Sequence, residues 1–157
     1  MDTVELTQYA LSSAFNILKQ VVADLTQEQA DWTPPGTVST IGAIYSHTIT
    51  YVDFILQEAC IGQSDAVFAE PPPEEIRMQE VQVELSTLHA YADEVETALH
   101  DWLSSLTPKD LEREMETSVG TLNLGQLLEV YIIWHINVHC GEISALKGYQ
   151  GLQGYPW

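Results

Sequence analysis

Trp134-His135-Ile136-Asn137-Val138-His139-Cys140-Gly141-Glu142-Ile143 decides how this 157-residue chain is read. Its apolar residues and freedom from proline fit a helix, and a helix makes one turn in about 3.6 residues. His135 and His139 therefore leave the same face. With His135 set at zero and about 100° per residue, His139 falls near about +40°, Glu142 near about −20°, Tyr131 near about −40° and Leu128 near about +20°. One narrow stripe so carries two imidazoles, a carboxylate and a phenol. Val130, Ile132, Ile133, Trp134 and Ile136 make the helix apolar almost all round, which predicts that the stripe faces a bundle interior. Imidazoles and a carboxylate buried there without partners would cost several kcal/mol. A metal ion meets that demand with one group. Core histidines bonded to backbone or to each other would meet it too.

Working outward, this helix is predicted over Leu124 to about Leu146. A first helix is predicted from Thr3 to about Leu25, because Leu11, Phe15, Leu18, Val22 and Leu25 recur at steps of three and four. Thr26 and Gln29 have the spacing of a capping box, so a short helical turn should follow and end near Trp32, closed by Thr33-Pro34-Pro35-Gly36. The second long helix should cover Thr40 to about Cys60, with Ile44, His47, Tyr51, Ile55 and Glu58 on one stripe. The prolines and acids of Glu70-Pro71-Pro72-Pro73-Glu74-Glu75 suit the first turn of a third helix. That helix should reach about Leu103, with Val81, Leu85, Leu88, Ala92, Val95 and Leu99 inward. Thr107 and Pro108 suit a cap and a first helical position, and Gly120 suits a turn. No β alternation of useful length is visible. The chain also looks weakly duplicated, since Leu25-Thr26 before Ile41-Gly42 recurs as Leu106-Thr107 before Leu124-Gly125.

The fold expected is an all-α antiparallel four-helix bundle forming one domain over 1–157. His47, on the apolar stripe of the second helix, can then join His135 and His139. Three neutral imidazoles from two helices would make an open site for zinc or a similar divalent ion. Glu142 can hold an imidazole N–H or act as a general base, and Tyr51 and Tyr131 can donate to a substrate oxygen or serve as core aromatics. His89 and His100 read as isolated surface or hydrogen-bonded histidines. Trp32, Trp102 and Trp134 read as core or wall. Cys140 points away from the histidine face and reads as inert packing.

Composition narrows the function. The net charge is −18, from 23 acids against five Lys and Arg, which repels phosphate backbones and anionic lipid and argues against nucleic-acid and membrane partners. It also leaves few groups to grip a strongly anionic substrate. No apolar run approaches the roughly 20 residues needed to cross a bilayer, and the start, Met1-Asp2-Thr3-Val4-Glu5, lacks a secretory pattern. A cytoplasmic protein is expected, with Cys60 and Cys140 reduced rather than bridged. The aromatics of Gly148-Tyr149-Gln150-Gly151-Leu152-Gln153-Gly154-Tyr155-Pro156-Trp157 should pack across the bundle or a partner.

The run from Leu25-Thr26 through Trp32-Thr33-Pro34-Pro35-Gly36, then Ser39-Thr40-Ile41-Gly42 to His47, and finally His135-x-x-x-His139-x-Gly141-Glu142-Ile143, resembles the DinB-like superfamily of metal-binding four-helix proteins. The resemblance spans most of the chain. It implies helices in an up-down-down-up order, a zinc or nickel class ion on His47, His135 and His139, and frequent homodimers. Relatives such as bacillithiol transferases and mycothiol-dependent maleylpyruvate isomerases use the metal to activate a low-molecular-weight thiol. The expected function is a metal-dependent enzyme activating such a thiol or water for transfer to, or hydrolysis of, a small-molecule substrate. A metal-dependent binding or sensing protein without turnover is the alternative, and a purely structural domain a third.

Overall fold

The computed structural model describes residues 1–36, 39–60, 83–117 and 120–155, with backbone alone at 57–60. Helix α1 (Thr3–Val22) opens on a capping box in which the Asp2 and Glu5 backbone N–H groups donate to each other's side chains, each at 2.9 Å. Such a cap contributes about 1 kcal/mol. The helix ends at Val22 rather than Leu25, because Thr26 must adopt an extended conformation to cap α2 (Gln27–Asp31). The expected Thr26–Gln29 box is present there. Helix α3 covers Ile41–Cys60 and α4 covers Leu85–Ser104. The predicted proline-rich start of the third helix and Val81 lie outside the described residues.

The chain then makes a 3-10 turn at Asp110–Glu112, where the Asp110 carboxylate accepts from both the backbone N–H and the hydroxyl of Thr107. An antiparallel hairpin follows, β1 (Glu114–Thr117) with β2 (Gly120–Asn123), pairing Glu114 with Asn123 and Thr117 with Gly120. This corrects the expectation of no strands. Gly120 has φ +114°, a conformation that L side chains rarely adopt. The last long helix is three pieces in sequence, α5 (Leu124–Leu127), a π segment (Leu128–Ile133) and α6 (Trp134–Tyr149).

Four long helical elements, among the described residues, enclose the core. Around the bundle α1 is flanked by α4 and α6, and so is α3, which leaves α1 and α3 on a diagonal. Contacts between side chains fix the directions. Gln8 bonds Ser104 while Lys19 meets Asp93 and Glu96, so α1 and α4 are antiparallel. Lys147, near the end of α6, donates to the Val21 carbonyl at 2.8 Å and to Asp24 at 2.5 Å near the end of α1, so these two are parallel. The Tyr45 hydroxyl lies 3.1 Å from His89 Nδ1 and the Tyr91 hydroxyl donates to Asp53 at 2.5 Å, which makes α3 and α4 parallel. The order is therefore up-down-down-up.

Phe15, Leu18, Tyr45, Ile49, Leu56, Leu88, Leu99, Leu128, Ile136 and Ile143 are buried in one continuous apolar cluster, each aliphatic or Phe side chain contributing about 1.5–3 kcal/mol by leaving water. Lys147 is buried in this cluster's wall at 2% exposure, tolerable because its ammonium has two acceptors. The internal duplication has a structural counterpart. A Cβ on Gly42 would lie 3.5 Å from the Ala30 carbonyl oxygen, and one on Gly125 would lie 3.6 Å from that of Leu111. Each glycine thus opens a helix against the short helical turn before it. The carboxyl end folds back on α6, where a Cβ on Gly154 would sit 3.0 Å from the Ser144 carbonyl oxygen and Tyr155 is partly buried against the core. Tyr149 departs from that expectation, being 78% exposed, and Trp157 lies outside the described residues.

Candidate metal centre

His47 stands in the second turn of α3, with Tyr51 one turn further on. His135 and His139 occupy the first two turns of α6, directly after the π segment. A π segment bonds i to i+5 and so re-phases the helix that follows it. Asn137 supports the junction by donating from Nδ2 to the Ile133 carbonyl at 2.8 Å. Because α3 and α6 run antiparallel side by side, the three imidazoles meet across the interface.

The ring centroids are 5.2 Å apart for His47 and His135, 5.0 Å for His47 and His139, and 4.4 Å for His135 and His139. One ligating nitrogen from each lies within 4.8 Å of the others. The planes are steeply inclined, at 67°, 88° and 81°, so the rings meet edge to face rather than stacking. Burial grades across the trio, with His135 innermost and His47 exposed.

Electrostatics favour the neutral, ligating form. Burial lowers the pKa of His135 to about 3, aided by His139 and His47, and burial with His139 also lowers that of His47. At neutral pH these nitrogens keep their lone pairs. His139 Nδ1 lies 2.6 Å from the Glu142 carboxylate. An ionised carboxylate only accepts, so the proton sits on Nδ1 and Nε2 is left free to ligate. His135 Nε2 is buried with no hydrogen-bond partner among the described residues. An orphaned buried nitrogen costs about 1–3 kcal/mol, and a cation among the three rings would remove that cost. The residues fit the group.

Tyr51 stacks on His135 with centroids 4.2 Å apart and planes 29° apart, walling the inner ring. Tyr131, by contrast, lies half-buried against the core, and no ring contact or hydrogen bond joins it to the histidines among the described residues. The uniform 100° step used for it does not hold through the π segment. The last helix, apolar almost all round, is not covered all round: Val130 is 47% exposed, Trp134 62% and Val138 38%. Cys140 is buried with its thiol pKa pushed up to about 12 by desolvation, as expected of inert packing. His89 is engaged with Tyr45, and His100 is exposed. Sequence reasoning missed the open cleft of about 570 Å³ beside His47, His139 and Glu142; its walls come from residues some ten positions apart on two helices, a pattern that shows only once the helices are paired.

A profile of the DinB superfamily matches residues 10–143. The chain belongs to the DinB superfamily. Members of the DinB superfamily often bind metal, and the histidine trio of this DinB chain has the donors to do so. Among solved structures, a conserved protein from Enterococcus faecalis is similar with a TM-score of 0.67 at 15% identity, over 94% of this chain and 96% of that one. Identity that low shows a shared fold and nothing of activity. No curated protein matches the chain significantly. No helix among the described residues of this DinB member is long and apolar enough to cross a membrane.

Proposed function

We propose that this protein is a metal-dependent enzyme in which His47, His135 and His139 hold a divalent cation of the zinc or nickel class, for transfer to or hydrolysis of a small substrate. The observation that carries the reading is the convergence of three imidazoles, one with a buried Nε2 that has no hydrogen-bond partner among the described residues. A bound cation of that class supplies Lewis acidity that lowers the pKa of a coordinated thiol or water. The chain's own groups do the rest. His135 anchors the inner side and exposed His47 leaves the outer side open toward the cleft. Glu142 fixes the His139 tautomer, and its half-exposed carboxylate lines the cleft, where it can take a proton from a bound nucleophile. Tyr51 packs on His135 and holds its ring in place.

The test is to load tag-free protein with zinc, nickel or manganese and screen thiol conjugation to electrophiles together with ester and amide hydrolysis. Turnover that disappears in His135→Ala supports the proposal. Inactivity with every metal and thiol, joined to tight small-molecule binding, favours a binding or sensing role, to which the commitment of Glu142 to His139 lends weight. We also propose a homodimer, supported by the exposed apolar side chains of Val130, Trp134 and Val138 along one helix.

A further inference from the structure

We infer that the cleft beside the three histidines receives an uncharged, elongated apolar group, whose polar head is held at the cation. The inference deepens the metal reading above and rests on it.

The cleft runs away from His47 and His139 along the groove between α3 and α6. Its far walls are Ser39, Ala43 and Ile44 on one side and Ala145, Leu146 and Tyr149 on the other. From His139 to Tyr149 the helix advances about 15 Å, at 1.5 Å per residue. The shape is a trough with the imidazoles and a carboxylate at one end and mainly apolar walls beyond it, where Ser39 and Tyr149 bring neutral hydroxyls and no charge. Ala43 on α3 and Ala145 on α6 both line it, and both are exposed. Larger side chains there would close the trough without touching the core.

Charge decides what the trough takes. None of the described lining residues is Lys or Arg. Lys147 immediately follows the lining residue Leu146, yet it turns to the other side of α6 and is bound by Asp24 and the Val21 carbonyl. Lys19 is engaged with Asp93 and Glu96 on the face between α1 and α4. Among the described lining residues the carboxylate is that of Glu142, half-exposed. An anionic tail would therefore meet a carboxylate and, among the described lining residues, no counter-charge, in a protein of net charge −18. A cationic tail would have to run past Glu142 and come to rest where the described lining residues offer hydroxyls but no carboxylate, losing solvation without a counter-charge. An alkyl or aryl tail buries its surface against those side chains at no such cost.

The experiment is calorimetric titration of the zinc-loaded full chain with acetohydroxamate, hexanohydroxamate and octanohydroxamate, and with six- and eight-carbon analogues carrying a terminal carboxylate or ammonium. Affinity should rise by up to about fourfold per buried methylene along the plain series. The terminal carboxylate should remove most of that gain. In Ala145→Phe, acetohydroxamate should bind as in the wild type while the advantage of the longer chains is lost. Acetohydroxamate binding with no dependence on chain length overturns this proposal and leaves the metal reading standing. A terminal ammonium that binds more tightly than the plain alkyl chain also overturns it. No binding of acetohydroxamate at all overturns the metal reading, and this inference with it.

Discussion

Glu142 is the residue whose removal most sharply separates a tuned metal site from a mere cluster of histidines. Its carboxylate lies 2.6 Å from His139 Nδ1, the position from which an acceptor holds the ring's tautomer and raises the basicity of the opposite nitrogen. Loss of such a partner lowers metal affinity by about 10- to 100-fold. The side chain is 51% exposed, and solvent around it screens the interaction and can replace it in part, so the low end applies. Glu142→Ala should weaken zinc binding by about tenfold, or about 1.4 kcal/mol. Glu142→Gln keeps an acceptor oxygen but not the charge, and hydrogen bonds to ionised groups are roughly twice as strong as neutral ones. Its loss should be about half as large in free energy, roughly threefold. The assay is competition for zinc against a chromophoric chelator, for wild type and both variants under one buffer and salt condition. Affinity within twofold of wild type in Glu142→Ala would refute the role. Complete loss of binding would refute it too, by making Glu142 a ligand itself.

Tyr91→Phe deletes a hydroxyl that donates at 2.5 Å to buried Asp53; it should destabilise by about 1.5–3 kcal/mol, the usual worth of a hydrogen bond to a charged group, and a urea midpoint equal to wild type would contradict this. Metal-free protein should lose stability as pH falls below about 6.5 toward about 3, because His135 has a folded pKa near 3 against the ordinary 6.5 and the unfolded chain takes up the proton first. The partial exposure of the trio keeps the slope below the ideal of about 1.4 kcal/mol per pH unit. His135→Gln should flatten that fall in urea titrations between pH 7 and 5, and an unchanged slope would count against it. If Trp134, 62% exposed, lies in a homodimer contact, Trp134→Glu should shift sedimentation from dimer toward monomer while the circular dichroism spectrum is retained.

The histidine trio was legible because its reading needs only that one helical turn separates His135 from His139 and that His47 sits on an apolar stripe. Both facts survive errors of a few residues in helix ends. Tyr131 was not legible, because its phase depends on counting through Leu128–Ile133, where the helix is wound differently. The hairpin is not legible because each strand has four residues and pairs, among the described residues, only with the other, with half of its residues exposed. Trp134, which reads as core or wall and is exposed, is hard to place for another reason. An apolar helix surface marks what is to be covered, and periodicity does not say by what. The Asp2–Glu5 and Asn123–Gln126 capping boxes carry the same signature as Thr26–Gln29 and were readable in principle. The up-down-down-up order came with the superfamily resemblance; side-chain pairs such as Lys147 with Asp24 show it physically.

X-ray absorption at the zinc edge, on tag-free protein equilibrated with zinc and then dialysed, tests the three-histidine site most directly. One zinc per chain should be retained, with a first shell that includes three imidazole nitrogens at about 2.0–2.1 Å, and His135→Ala should abolish it. Retention of the ion in His135→Ala, or a first shell dominated by sulfur at about 2.3 Å, would contradict the site.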